Sequence, residues 1–171
     1  MNLSTLHFNS DRILKVVQTT LDDANFPPNL LTLEITESTE MRDWGKAQEI
    51  ITGLHSLGCR IAIDDFGTGF SSLAYLRAIA ADELKVDKSL IFELETSEKA
   101  RLTLASVFDI ARNLELEIIV EGIETHSQAH IVYSMGADIA QGYLFAAPDL
   151  PETALKRAMY VANKLQARAA S

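Results

Sequence analysis

The sequence predicts an α/β fold, a (β/α) barrel built from alternating strands and helices. Two observations support this prediction. Short apolar runs rich in β-branched residues alternate with segments of helical periodicity along the 171 residues, which is the pattern of a parallel sheet with crossover helices. In addition, the apolar runs carry polar residues at or near their ends, where barrel enzymes place their active sites. The second observation favours a barrel over an open sheet.

Predicted strands and helices follow one another along the chain. The strands are Leu31–Thr36, Arg60–Asp64, Leu84–Asp87, Glu117–Glu121 and Asp138–Gln141. Apolar residues at helical spacing predict helices that follow Ser10 and stop before Pro27, open at Asp43 and close at Gly58, run from about Ser97 to Asn113, and follow Thr125 to end at Gly136. A last helix is predicted over about residues 151–168. Thr125 and Gln128 form a capping-box pattern, which marks a helix start.

Composition limits the classes of function. The chain has 24 Asp and Glu residues against 15 Lys and Arg, a formal net charge of −9 and a pI near 4.8, so a basic surface for DNA or RNA is disfavoured. A phosphorylated ligand would need bound cations, backbone N–H groups or a few local Lys and Arg. The single cysteine, Cys59, excludes an internal disulfide. We find no signal peptide and no membrane-spanning run, and we expect a cytoplasmic protein with one domain over residues 1–171.

The polar residues of the predicted strands are the candidate site. Because parallel barrel strands all point the same way, their carboxyl ends form one rim and these residues should meet there. They are Glu34, Asp64, Asp65, Lys85, Glu121 and Gln141.

Four clustered carboxylates repel one another, and divalent cations or protonation relieve that repulsion. Oxygen ligands favour Mg²⁺ or Mn²⁺, and the adjacent Asp64 and Asp65 could each hold one of two ions that activate water for an in-line displacement at phosphorus. Lys85 would hold the attacking water or neutralise developing charge. The alternative is that each acid is a helix cap or a salt-bridge partner.

Two other features predict packing rather than chemistry. His126 and His130 have the i, i+4 spacing of a zinc helix, but Ser127 stands where a zinc protease needs Glu and no third ligand is evident. We therefore expect two exposed polar side chains on a helix. Cys59 is expected to be a small core residue.

Several strings of the sequence together resemble the EAL-domain family, the cyclic di-GMP phosphodiesterases of bacteria. The match extends from the first residues to about Pro148, so the motif-bearing region is 2–148. The strings are Asn2-Leu3-Ser4, Leu33-Glu34-Ile35-Thr36-Glu37, Asp64-Asp65-Phe66-Gly67-Thr68-Gly69-Phe70-Ser71-Ser72-Leu73, Lys85-Val86-Asp87-Lys88-Ser89, Glu121-Gly122-Ile123-Glu124-Thr125 and Gln141-Gly142-Tyr143.

The resemblance implies a metal site in a TIM-type barrel that is incomplete at its N-terminus. Asn2, Glu34 and Asp64 resemble the ligands of the first metal ion, Mg or Mn. Asp65 resembles a ligand of the second ion, and Asp64 would bridge the two.

The resemblance also implies roles around the metals. Lys85 resembles the lysine near the attacking water, Glu121 the general base or a second-site ligand, and Gln141 a polar residue that supports it. Glu37 resembles the glutamate that anchors the Asp-Phe-Gly-Thr-Gly loop. Two further rim residues are Asp87 and Glu124.

The function implied is two-metal hydrolysis of cyclic di-GMP to linear pGpG. The sequence contains no Glu-Ala-Leu signature, whose glutamate is a metal ligand of the family. We therefore expect a partial EAL domain that is inactive or impaired by itself. The alternative is a non-hydrolytic module that binds cyclic di-GMP or a protein partner. We also expect a homodimer or larger oligomer, because an incomplete barrel exposes a strand edge, and a regulatory or GGDEF-type domain upstream.

Overall fold

The computed structural model describes residues 1–37, 39, 43–68, 73–150 and 152–154. In this part of the chain, strands and helices alternate. The strands are β1 (Asn2–Leu3), β2 (Thr32–Thr36), β3 (Arg60–Phe66), β4 (Glu83–Val86), β5 (Glu117–Val120) and β6 (Ile139–Ala140). The α-helices are α1 (Arg12–Ala24), α2 (Trp44–Ser56), α3 (Leu73–Ala78), α4 (Glu98–Asn113) and α5 (His126–Met135), and short 3₁₀ helices occupy Thr5–Asn9, Pro28–Leu30 and Lys88–Leu90.

The strands form one parallel sheet in the order β1-β2-β3-β4-β5-β6. Each strand pairs with the next in sequence, whereas a doubly wound open sheet reverses its strand order at a switch point. The order is that of a TIM-type barrel, which confirms the predicted fold class. Within the described residues, β1 and β6 are the edge strands.

The two faces of the strands differ in polarity. On the face that packs under the helices, the side chains are apolar and fully buried, as at Leu33, Ile35 and Ile63. They form the core with helix residues such as Ile50 and Phe108. The opposite face carries the charged side chains of the strands. This alternation, with period two along each strand, places Glu34, Asp64 and Lys85 on one face, inside the barrel.

Side-chain caps start the helices where the sequence predicts them. Asp43 accepts a hydrogen bond from the backbone N–H of Lys46, and the Thr125–Gln128 capping box is present. The first helix begins at Arg12 instead of directly after Ser10, and Ser10 Oγ accepts from the Arg12 N–H.

The family resemblance places Asn2-Leu3-Ser4 in a barrel strand, and Asn2–Leu3 form β1. The six-residue helix α3 was not among the predictions. The predicted C-terminal helix over 151–168 lies almost entirely outside the described residues. None of the described helices is long and apolar enough to cross a membrane.

Candidate active site at the strand ends

The register of the sheet explains why polar residues from successive strands converge. Glu34 pairs with Ala62, two residues before Asp64. Lys85 pairs with Ile119, and Glu121 follows two residues later. A two-residue step keeps the side chain on the same face, so each step moves the polar group along the strand without turning it out of the barrel.

Lys85 lies at the centre of the group. Its ammonium nitrogen lies 2.8 Å from Glu34 Oε1, 2.8 Å from Asp64 Oδ1 and 2.9 Å from Glu121 Oε1. The Lys85 side chain is 13% exposed. Burial lowers the pKa of Lys85, but the close contacts with the three carboxylates outweigh burial and raise it above its usual value. The ammonium is therefore charged at every physiological pH.

The Asp64 carboxylate keeps unused acceptor capacity. Its Oδ1 atom is buried and faces Lys85 as an ion pair, yet it accepts no hydrogen bond of good geometry from the described residues. A buried carboxylate oxygen in this condition favours an additional cation or donor.

Gln141 fixes the orientation of Glu121. Its side-chain amide donates to Glu121 Oε1 over 2.7 Å. The carboxylate is thus held from one side by Lys85 and from the other by Gln141, which limits its rotation.

Asp65 has a left-handed backbone conformation. Its φ is +55°, in the left-handed region that L-residues other than Asn and Asp rarely adopt. Burial raises the pKa of Asp65, and the negative charges of Asp64 and Asp87 add to the increase. An acid whose ionisation is disfavoured by burial and by a neighbouring negative charge is suited to binding a cation.

The loop after Asp65 is tied to β2 through Glu37. Glu37 Oε2 accepts a hydrogen bond from the Gly67 N–H over 2.8 Å, and the Glu37 N–H donates to the Asp64 carbonyl over 3.0 Å. Both contacts join the start of this loop to the end of β2. The continuation of this loop, Gly69 to Ser72, lies outside the described residues.

The described contacts of two other predicted residues, Asn2 and Asp87, involve backbone groups. Asn2 pairs with Glu34 across β1 and β2, and its side chain is exposed. Asp87 accepts from the Ser89 N–H as a helix cap, which is the alternative role considered for the acids.

A cleft of about 580 Å³ opens beside Glu121 and Gln141. Glu124 is exposed and lines this cleft, as do Lys88 and Tyr143. The sequence interpretation gave Lys88 and Tyr143 no role. The sequence feature that could have identified them is their position within two of the strings that resemble the EAL-domain family.

The donors of this site fit a divalent cation by chemistry, since all are oxygen atoms. Within the described residues, no three acidic, histidine or cysteine side chains form a ready-made metal cage. The acidic side chains contact the Lys85 ammonium instead. His126 and His130 are exposed on α5, as expected, and Cys59 is buried.

Comparison with known proteins places this geometry in a family. A family model described as the EAL domain matches residues 1–148. The bifunctional diguanylate cyclase/cyclic di-GMP phosphodiesterase MucR of Pseudomonas aeruginosa is 38% identical over 148 residues, which cover 86% of this chain and 22% of MucR. The chain spans between 18% and 22% of the length of such curated relatives.

Solved structures agree with this match. The PaMucR phosphodiesterase in complex with c-di-GMP has a TM-score of 0.81 at 38% identity and is covered to 62%, against 89% of this chain. Klebsiella pneumoniae BlrP1 in a manganese and c-di-GMP complex has a TM-score of 0.79 at 28% identity, with 86% of this chain and 38% of BlrP1 covered. The chain therefore belongs to the EAL domain family.

Proposed function

We propose that this chain carries most of a cyclic di-GMP phosphodiesterase site, which hydrolyses one phosphodiester of the substrate to give linear pGpG. The observation that carries the proposal is the convergence of Glu34, Asp64 and Glu121 on Lys85 at the strand ends. The relatives that are named as phosphodiesterases of this dinucleotide support the choice of substrate.

The proposed metal ligands are Asn2, Glu34, Asp64 and Asp65. They are oxygen donors, as Mg²⁺ or Mn²⁺ requires, and the BlrP1 complex with manganese supports this class of ion. When bound, divalent ions would polarise the phosphate and lower the pKa of a bound water.

In the proposed reaction, the chain's own residues orient the water and move its proton. Glu121, held by Gln141 and Lys85, accepts the proton of the attacking water. The water oxygen bonds to phosphorus in line with the 3′-oxygen, whose bond to phosphorus breaks. The 3′-oxygen takes up a proton and the new end is a 5′-phosphate. Lys85 stabilises the negative charge that develops on the phosphate oxygens.

We also propose that a polypeptide of these 171 residues alone hydrolyses the dinucleotide poorly or not at all. It contains no Glu-Ala-Leu tripeptide, and a two-metal site that lacks one charged ligand loses much of its metal affinity. Binding without hydrolysis would then favour the alternative function, a module that senses cyclic di-GMP.

The test compares this polypeptide with a chimera in which the preceding segment of the PaMucR phosphodiesterase is joined ahead of Asn2. Conversion of cyclic di-GMP to pGpG is followed by chromatography in Mn²⁺. We expect conversion by the chimera and little by the polypeptide alone. Robust conversion by the polypeptide alone would contradict the need for the missing ligand.

Variants of the chimera test the residue roles. Glu121→Gln and Lys85→Ala should each abolish conversion, and their effects should not add because both residues act on one water. Glu93→Gln, on an exposed loop, is the matched control and should retain the rate. A chimera that kept its rate after Glu121→Gln would exclude this residue as the base.

Three further properties are proposed for the whole protein: a cytoplasmic location, an upstream regulatory or GGDEF-type domain, and a homodimer or larger oligomer. The first is supported by the phosphodiesterase assignment and the second by the two activities in the name of MucR, and the third is tested by light scattering.

A further inference from the structure

The Lys85 ammonium occupies the point on which the rim carboxylates converge. Each of its three short contacts is to a carboxylate oxygen. The contact with Glu34 Oε1 is a hydrogen bond of good geometry, and the contacts with Asp64 and Glu121 are close ion pairs. The proposed metal ligands Glu34 and Asp64 are among these partners.

We propose that Lys85 competes with the divalent cation for Glu34 and Asp64. The lysine would therefore weaken metal binding at the same site where its charge assists hydrolysis. This inference rests on the proposed function, because it concerns the same ligands. It assigns Lys85 a second role, that of an internal counter-cation.

The geometry supports competition in two ways. A metal bound through Glu34 Oε1 or Asp64 Oδ1 would have to displace the ammonium, which lies 2.8 Å from each oxygen. A metal bound through the second oxygen of each carboxylate would lie within a few ångströms of a positive charge in a partly buried site, where repulsion is strong.

The opposite expectation is that Lys85 gathers the carboxylates and that its loss would scatter them. The fold argues against this. Glu34 and Asp64 lie in β2 and β3, which are paired along five residues of each strand, and Gln141 holds Glu121 independently of Lys85. The ligands are therefore positioned by the sheet, and removing the lysine should leave them in place.

The test is the affinity for Mn²⁺, measured by calorimetric titration of the 171-residue chain without dinucleotide. Lys85→Met removes the charge at similar length, and Lys85→Gln removes it but keeps a donor. We expect both variants to bind Mn²⁺ at least about tenfold more tightly than the wild type, as the loss of a like charge at about 4 Å requires. Lys85→Arg keeps the charge and should bind about as weakly as the wild type.

Lys46→Met is the matched control. Lys46 lies 2.7 Å from Asp11 and 3.1 Å from Glu49 on the surface, so it also bridges carboxylates, and its loss should leave Mn²⁺ affinity unchanged. All variants keep the same amino terminus, because the Met1 ammonium lies 4.0 Å from Glu34 Oε2. Circular dichroism identifies any variant that fails to fold, and the second neutral variant then decides.

The outcomes separate this inference from the proposed function. Equal or weaker Mn²⁺ binding in the folded neutral variants, or no binding at millimolar Mn²⁺, would overturn the competition. Tighter binding in those variants would support it even if the PaMucR chimera failed to hydrolyse cyclic di-GMP, a failure that would count against the proposed function alone.

Discussion

Arg60 provides the sharpest test of how the barrel is held together. At the amino ends of the strands, its guanidinium lies 3.2 Å from Glu83 Oε1 and 2.6 Å from Glu117 Oε2. The Glu83 side chain is only 8% exposed, and Thr32 donates a further hydrogen bond to it. Arg60→Met therefore leaves a nearly buried carboxylate without its cation.

The size of the effect follows from burial. Removing one partner of a fully buried ion pair costs about 3–5 kcal/mol. The Arg60 side chain is 39% exposed, so solvent compensates part of the loss. We expect the free energy of unfolding to fall by about 2 kcal/mol, and the melting temperature to fall by about 4–8 °C for a domain of this size.

The loss should depend on pH. Burial raises the pKa of Glu83, and the Arg60 charge acts in the opposite direction. Glu83 therefore keeps its proton to a higher pH in the folded state than in the unfolded chain. As a result, the free energy of unfolding falls as pH rises from the unfolded-state pKa of Glu83 to its folded-state pKa. Arg60→Met raises the pKa of Glu83 further. Its effect should be largest near neutral pH and should shrink in mild acid as Glu83 becomes protonated.

Urea unfolding of purified chains near neutral and at mildly acidic pH measures these effects. Glu83→Gln in the Arg60→Met background should recover part of the lost stability, since the unpaired charge is removed. Lys46→Met, which removes an exposed cation between two carboxylates, should have a much smaller effect. Equal stability of the wild type and Arg60→Met, or a loss that does not depend on pH, would refute the reasoning.

Three other predictions concern the scaffold. Gln128→Ala removes a buried acceptor from the capping box and should lower the free energy of unfolding by about 1 kcal/mol, whereas the exposed Gln18→Ala should not. Gly122→Ala should cost more than about 1 kcal/mol, because Gly122 has φ +72° and a Cβ there would lie 2.3 Å from Lys88 Cβ. Gly45→Ala, whose Cβ would make only an ordinary van der Waals contact at 3.4 Å with Asp43 Oδ1, should be neutral or slightly stabilising in thermal unfolding. Light scattering at micromolar concentration should show a dimer or larger species, and a stable monomer would contradict the proposed oligomer.

The sequence predicted the parts of the fold that have a periodic or capped signature. The runs that became β2 to β6 were recognised from their apolar residues, and Asp43 and Thr125 marked helix starts through their side-chain caps. Helix α3 was missed because six residues make fewer than two turns, too few for a helical stripe to show. Strand β1 has only two residues, too few for a periodic pattern, so it was indicated only by the family resemblance of Asn2-Leu3-Ser4, and its pairing with β2 defines it.

The candidate site was predicted as a set of residues, but its arrangement was not. The rule that parallel strands end at one rim brought Glu34, Asp64, Lys85 and Glu121 together correctly. Nothing in the spacing indicated that the carboxylates would share one ammonium, since that depends on the register between strands. The cluster around Arg60 was also missed, although Arg60, Glu83 and Glu117 each begin a strand and form the same kind of pattern at the opposite end.

At each end of the barrel interior, one cationic side chain contacts several carboxylates, but the net charge that remains differs between the two ends. At the amino end, Arg60 serves two carboxylates, and Thr32 contributes a further donor to one of them, which leaves a compact ion-pair cluster. At the carboxyl end, Lys85 serves three carboxylates, a buried oxygen of Asp64 still accepts no hydrogen bond, and Asp65 adds another acid nearby. The excess of negative charge is therefore larger at the carboxyl end. A negatively charged phosphodiester can bind there only with added cations, which is how a chain of net charge −9 can be suited to the proposed nucleotide substrate.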